Sequence, residues 1–480
     1  MNRVELTDKQ RECVRFALDK DLIVQGVAGS GKSLVIASRA AWLSASARKS
    51  GKHARIAIFT FVKTLVQFTK EVLDQQENAS NDAVVTTADQ EISRLYRKMF
   101  SMDSIPGLYP KQKELKEVLQ GLFESDRELA GLAKTKNLFL PEKRDFLLEE
   151  FIWIKQRLMK DASEYENCIR KGRGNTRVRK TDRADIYKAY TKFYDALAKN
   201  NIKTIDAVCE ELYNARERIS DDDKFDFVLI DEAQDLSLGK LLILCCLAKV
   251  SVTISADFAQ KIYGAGFSWK DLGLDVKGKA SKRLKSTFRN TYEIAALGQE
   301  ILSKSTEDHE DGDITPAVMP DRRGQQPVIC RANKAVQAEQ ICTIAKQALA
   351  SSAKMSVGIL GRDREALSLI EGWLRNGRIP FMRIDRNSQE GTTSGGVKTL
   401  TYHSAKGLEF DVVILPMVDD GYFPYTKNLK GLSGEAMEDE MNKARNLLYV
   451  GITRARHMLY IFFSGASSPL LEGLPYRTLD

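Results

Sequence analysis

Leu22-Ile23-Val24-Gln25-Gly26-Val27-Ala28-Gly29-Ser30-Gly31-Lys32-Ser33 is the stretch whose reading decides the fold. A short apolar run ends in a glycine loop, and the loop opens into the helix-like run Leu34–Ala47. From Gly26 to Ser33 the residues fit GxxxxGK[ST]. The glycines of that pattern let the backbone curl until consecutive N–H groups face an anion at a helix N-terminus. The pattern alone arises by chance; a strand before it and a helix after it make it specific. Gly26, Val27, Ala28, Gly29, Ser30 and Gly31 then form a phosphate cradle, Lys32 reaches the β- and γ-phosphates, and Ser33 ligates Mg²⁺.

Outward from the loop, Arg55–Phe61, Phe225–Ile230 and Ser251–Ser255 are further strand candidates separated by helical patterns. Such alternation predicts a parallel sheet covered on both faces, an α/β fold. The third strand delivers Phe227-Val228-Leu229-Ile230-Asp231-Glu232-Ala233-Gln234-Asp235. Asp231 is suited to hold Mg²⁺ through water, and Glu232 to orient or deprotonate an attacking water. Acids at a helix N-terminus, stabilised by its dipole, would explain either residue singly. They do not explain two acids behind an apolar strand in a chain that already has a phosphate loop. Together the two motifs predict ATP hydrolysis, with ATP and Mg²⁺ as cofactors.

Between about Thr87 and Ser220 the pattern turns helical: Leu147, Phe151, Ile154 and Leu158 fall on one helix face. A second α/β block begins near Lys285, with strand candidates Val328–Cys330, Val357–Leu360, Val397–Tyr402, Val412–Leu415 and Met458–Phe463. The expected organisation is a first core from residues 1–87 and 221–284, a helical insertion at 88–220, and a second core at 285–480. Lys304–Gln326 is polar and reads as a connecting loop. Within the insertion, Arg170–Arg183 holds seven Lys or Arg in fourteen residues, which fits either a solvated loop or contact with a phosphate backbone.

Composition bounds the rest. The 480 residues allow two to four domains, and 43% hydrophobic with 29% charged residues is ordinary for a globular protein. No apolar run reaches the roughly 18 residues needed to span a bilayer. Met1–Lys9 has charges of both signs and no apolar signal core, so a cytoplasmic location is expected. A net charge of +8 is compatible with a polyanion but does not demand one. The seven cysteines show neither CxxC pairs nor metal-ligand spacing and read as reduced, buried thiols.

Asp231-Glu232-Ala233-Gln234-Asp235 resembles the second motif of the UvrD/Rep/PcrA-like superfamily 1 helicases, and other motifs of that family follow in order. Leu6-Thr7-Asp8-Lys9-Gln10 is similar to the N-terminal glutamine motif, which implies that Gln10 reads the adenine edge. Ala256-Asp257-Phe258-Ala259-Gln260-Lys261-Ile262-Tyr263 is similar to GDxxQxIY, placing Gln260 at the γ-phosphate. Thr287-Phe288-Arg289-Asn290 resembles NYR, with Phe288 on adenine and Arg289 approaching the γ-phosphate. Thr401 to Phe410 matches TxHxxKGLEF, bringing Glu409 to the nucleotide. Leu447 to Ala455 matches the last motif and makes Arg454 catalytic together with Lys32, Asp231, Glu232, Gln260 and Arg289.

The resemblance implies two RecA-like cores that close around ATP and step along single-stranded or tailed duplex DNA with 3′-to-5′ polarity. Thr60, Phe61, Tyr263, Trp269, Tyr402 and His403 are the nucleic-acid candidates, although a core aromatic is the commoner fate of such residues. The sequence also departs from the family. Thr86-Thr87-Ala88-Asp89 lacks the aromatic and the histidine of the usual TFHS-like segment. Only about 110 residues separate Arg289 from Thr401, where relatives carry a large helical insertion, and 26 residues follow Arg454, with no room for a fused nuclease. An alternative activity is therefore a DNA-stimulated ATPase that regulates or feeds a separate nuclease or effector. An RNA helicase is a weaker alternative.

Overall fold

Strands buried on both faces read as nearly continuous apolar runs. Leu22–Gly26 (β1) and Ile56–Thr60 (β2) satisfy this with every residue buried. The computed structural model describes residues 5–61, 63–74, 83–170, 178–257, 269–273, 280–303, 318–385, 395–425, 429 and 435–479. Its first sheet adds Val84–Thr87 (β3), Phe225–Ile230 (β4), Ala248–Ala256 (β5) and Ser281–Leu284 (β6), in the spatial order β3-β2-β4-β5-β1-β6. The second contains Val328–Arg331 (β7), Ser356–Gly361 (β8), Phe381–Ile384 (β9), Gly396–Thr401 (β10), Phe410–Leu415 (β11), Ala455–Phe463 (β12) and Arg477–Thr478 (β13). Its order is β13-β7-β12-β11-β8-β10-β9. All pairings between these strands are parallel. The chain is thus α/β, with two RecA-like cores as expected.

Each sheet has its own apolar clusters, and a further cluster spans Leu115 to Leu197 in the helical segment. Leu147, Phe151 and Ile154 lie fully buried in it, on the helix Arg144–Gln156. Leu158 falls just past that helix in the left-handed region, and its side chain packs against Gly239 of the first core. The helices Ala88–Met99 and Ile205–Asn214 contribute Ile92, Leu95, Val208 and Leu212 to the first-sheet cluster, so they belong with that sheet in packing.

Polar groups fasten the helical segment to the first core. Lys155 meets Glu210 at 2.7 Å, and Arg157 meets Asp271 at 3.0 Å. Lys240 meets Asp89 at 2.6 Å, while Thr87 caps the helix Ala88–Met99 in a reciprocal bond with Gln90. The divergent Thr86–Asp89 segment therefore has structural duties. Arg170 is also occupied: it grips the fully buried Glu150 with two bonds of 2.7 and 2.6 Å. Arg183 donates to three backbone carbonyls, and residues 171–177 of the basic run lie outside the described residues. All seven cysteines are free, and no helix among the described residues is long and apolar enough to cross a membrane.

Candidate active site

β1 delivers the glycine loop to the helix Lys32–Lys49. Gly29 and Gly31 take φ of 70° and 81°, the left-handed region that glycine enters without strain. Neither position has room for a side chain. A Cβ on Gly29 would lie 2.6 Å from the Arg289 Cβ, and one on Gly31 would lie 2.6 Å from the Gln10 amide nitrogen. The buried Lys32 ammonium sits inside the loop, donating to the carbonyls of Gly26 (3.0 Å) and Val27 (3.1 Å) and lying 3.3 Å from Asp257.

β4 ends at the two acids. Ser33 Oγ donates to Asp231 Oδ2 at 2.5 Å, while the other Asp231 oxygen accepts from Ser255 and from the Glu232 amide. Glu232 has φ 54°, an uncommon conformation for a non-glycine residue, and its carboxylate accepts from Gln234. Burial and the neighbouring Glu232 charge push the Asp231 carboxyl above its ordinary range. Burial would also raise Glu232, but the charges of Lys406, Lys32 and Arg454, with the Gln234 bond, outweigh it and hold this carboxyl low. One carboxyl is thus favoured ionised and the other is short of positive charge. Mg²⁺ prefers hard oxygen donors, and the adjoining Ser33 hydroxyl and Asp231 carboxylate fit it.

The second core supplies the facing wall. Phe288 N donates to Gly29 O at 2.9 Å, setting the Thr287–Asn290 segment directly on the loop; the Phe288 ring is 54% exposed. Arg289 Nε donates to Glu409 Oε2 at 2.9 Å. Arg454 is 1% exposed and donates to Val450 O (3.0 Å), Leu408 O (3.3 Å) and Thr453 Oγ1 (3.1 Å). Burial and the nearby Arg289 push its guanidinium down to about 9, against the opposing pull of Glu232 and Glu409. Burial would raise Glu409, but Arg289 and Arg456 overcome it and lower this carboxyl to about 2.

Lys32, Ser33, Asp231, Glu232, Arg289, Arg454 and Glu409 are therefore gathered around the glycine loop, whereas Gln260 lies outside the described residues. Gln10 is buried, with both ends of its amide engaged: Oε1 accepts from Thr7 N at 2.9 Å, and Nε2 donates to Ser30 O at 3.0 Å. Reading an adenine edge would require it to exchange one of these bonds. Two contacts, one across the cores and one within the second, were not foreseen in the sequence. Lys406 lies 2.7 Å from Asp235, both nearly fully buried, and Arg456 donates to Glu409 at 2.9 Å. A buried charge in each of two motifs was the available signal for the first pair.

The nucleic-acid candidates need correction. Base stacking needs an exposed ring face. Trp269 is 5% exposed in the first-core cluster, and Tyr402 is 1% exposed in the second. Tyr402 packs 5.2 Å from Phe423, and the Gly451 backbone presses on its ring. Thr60, at the end of β2, has no accessible surface. Thr60 ends a buried strand, Tyr402 follows one, and Trp269 opens the short helical turn Trp269–Leu272; in each case the interior claims the side chain. Phe61 and His403 are partly exposed, and Tyr263 lies outside the described residues.

A glycine phosphate loop on β1, two acids at the end of β4 and arginines facing them from a second sheet define a P-loop NTPase with two cores. Comparison with known proteins narrows the class. Residues 6–268 match the UvrD/REP helicase N-terminal domain, and residues 385–465 match the UvrD-like helicase C-terminal domain. The chain belongs to the UvrD/REP helicase family. It is similar to the ATP-dependent DNA helicase PcrA of Staphylococcus aureus, 40% identical over 90 residues, which are 19% of this chain and 12% of that protein. It is also similar to a probable DNA helicase II homolog of Rickettsia conorii, 48% identical over 67 residues, 14% of this chain and 10% of that one. The chain thus matches about a tenth of the length of either relative.

Proposed function

We propose that this protein hydrolyses ATP and uses the cycle to move along single-stranded DNA, unwinding tailed duplexes in the 3′-to-5′ direction. The observation that carries the reading is the seat of the Arg289 segment on the phosphate loop, opposite Lys32 and the Asp231–Glu232 pair. Lys32 holds the β- and γ-phosphates of ATP, and the ionised Glu232 takes a proton from the attacking water. Ser33 and Asp231 hold Mg²⁺, which when bound neutralises phosphate charge. Arg289 and Arg454 stabilise the negative charge that spreads over the transferred phosphoryl group. Because these arginines come from the second core, hydrolysis and product release alter what holds the two cores together. A strand bound across both is then moved in steps.

Supporting the anion is the state of Arg454 itself, pushed down to about 9 by burial and Arg289; the negative charge of an incoming triphosphate would offset both influences. A second reading, a DNA-stimulated ATPase that serves a separate nuclease or effector without unwinding alone, has its own motive. Between Arg289 and Thr401 the described residues build the helices Tyr292–Ser303, Lys334–Ser351 and Arg364–Asn376 and strands β7 to β10, all within the second core. The test is ATP turnover with and without single-stranded DNA, together with strand displacement from duplexes bearing 3′ or 5′ tails. Stimulated turnover with displacement from the 3′-tailed duplex is expected. Stimulated turnover without displacement selects the second reading, stimulation by RNA in place of DNA changes the substrate, and no stimulation by either removes the motor.

A further inference from the structure

Glu409 has two carboxylate oxygens, and each holds a different arginine. Oε2 accepts from Arg289 Nε at 2.9 Å, and Oε1 accepts from Arg456 at 2.9 Å. The two cations play unequal parts. Arg289 sits on the phosphate loop, where a γ-phosphate would draw it away from Glu409. Arg456 is the second residue of β12, two past Arg454, and is tethered elsewhere. Its second guanidinium nitrogen lies 3.8 Å from Asp411. Asp411 is itself fixed, accepting from Ser356 N at 2.9 Å and Ser356 Oγ at 2.8 Å. The Arg456 carbonyl accepts from Arg322, whose guanidinium also donates to the Arg289 carbonyl at 2.8 Å. Asn290 ties the same two segments together, donating to Thr453 O at 3.2 Å and Ala455 O at 2.6 Å. The backbone beneath Arg289 is therefore secured, while its side chain rests on a single carboxylate and, at 3.4 Å, on Thr453 O.

We infer that Arg456 is a positioning residue, holding the Glu409 carboxylate so that Arg289 can exchange Glu409 for phosphate. The inference rests on the proposed ATPase reading. Physically, a carboxylate with three quarters of its surface out of water, as Glu409 has, resists losing its last cation. With Arg456 in place, the departure of Arg289 leaves Glu409 still paired. Without Arg456, Arg289 is the only cation bonded to Glu409 in this pair of contacts, and moving it strands the charge. Arg456 thereby lowers the barrier to a movement made during turnover while touching no nucleotide itself. No bond is made or broken in this step; the exchange is one ion pair for another.

The test compares steady-state ATP hydrolysis, with saturating single-stranded DNA, for the wild type, Arg456→Gln, Arg456→Lys, Arg289→Lys and the double variant Arg289→Lys/Arg456→Gln. Losing one charge-assisted bond predicts a fall in kcat of about tenfold for Arg456→Gln, with KM for ATP moved less than about twofold. Arg456→Lys restores much of the lost kcat, since it returns the charge. On the Arg289→Lys background, Arg456→Gln has little further effect, because the residue whose movement it serves has already been changed. A kcat within about twofold of wild type for Arg456→Gln overturns the inference, as does an equal loss on both backgrounds. If Arg456→Gln fails to fold, Arg456→Met, alone and on the Arg289→Lys background, carries the same comparison. Wild-type protein that hydrolyses no ATP overturns the functional reading and this inference with it, whereas an active wild type with an unaffected Arg456→Gln overturns this inference alone.

Discussion

The two walls of the nucleotide cleft hold their charges by opposite means. On the first wall, Lys32 opens its helix and pairs with Asp257, while Asp231 and Glu232, just past the end of β4, accept from Ser33, Ser255 and Gln234. On the second, Arg289, Arg454 and Arg456 are held by backbone carbonyls and by Glu409, an arrangement rich in cations. Burial first, and then the neighbouring Arg289, lower the pKa of Arg454. The first wall is rich in acids, and Lys406 and Arg454 of the second help Lys32 to hold Glu232 low; the second, rich in cations, is completed by an anion brought between them. Lys406, reaching from the second wall to Asp235 on the first, is the exception that joins them.

The largest break in this contrast is Arg454→Ala. Turnover should fall by about 10³-fold or more, the usual range for losing such an arginine, while nucleotide binding survives. Hydrolysis assays beside a nucleotide titration read both, and normal turnover would remove Arg454 from the chemistry. Next comes the bridging lysine. Lys406→Met leaves Asp235 buried without this cation and should lower stability by about 3–5 kcal/mol in denaturant unfolding. Adding Asp235→Leu should recover most of that loss, and a lone Lys406→Met as stable as wild type would show that the bridge does not hold the walls.

A smaller effect concerns Glu409. Its folded pKa of about 2 lies below the ordinary glutamate value of about 4.3, so the ionised form is favoured by folding. The stability advantage of wild type over Glu409→Gln should be fully present above about pH 5. It should shrink as pH falls through 4 towards 2, by on the order of 2–3 kcal/mol in all. An advantage that stays flat across that range would contradict the paired state of Glu409. The smallest effect is expected from Tyr402→Phe. Among the described residues its buried hydroxyl has no hydrogen-bond partner, so stability should move by less than about 1 kcal/mol. Affinity for single-stranded DNA should not change; a marked loss of affinity would return Tyr402 to the nucleic-acid surface.

The strands show how far sequence alone reaches. Nine strands are legible in the sequence, among them β1, β2, β4 and β11, whose apolar runs start from Leu22, Ile56, Phe227 and Val412. The four that are not, β3, β6, β9 and β13, are the outermost strands of the two sheets. An edge strand is paired on one side only and need not be apolar on both faces. Ser-Lys-Arg-Leu in β6 and Arg-Thr in β13 accordingly carry no hydrophobic signal.

The sequence by itself determined the chemistry of the cleft. The glycine loop, the Asp231–Glu232 pair and the late motifs containing Arg289 and Arg454 are local patterns, and a local pattern constrains its own backbone and residue types. Only the tertiary structure decided what those residues face. It buried Thr60, Trp269 and Tyr402, gave Asp235 to Lys406 and shared Glu409 between Arg289 and Arg456. Burial and long-range ion pairs depend on which distant segments meet, and residues 171 positions apart, like Asp235 and Lys406, leave no periodicity by which either could announce the other.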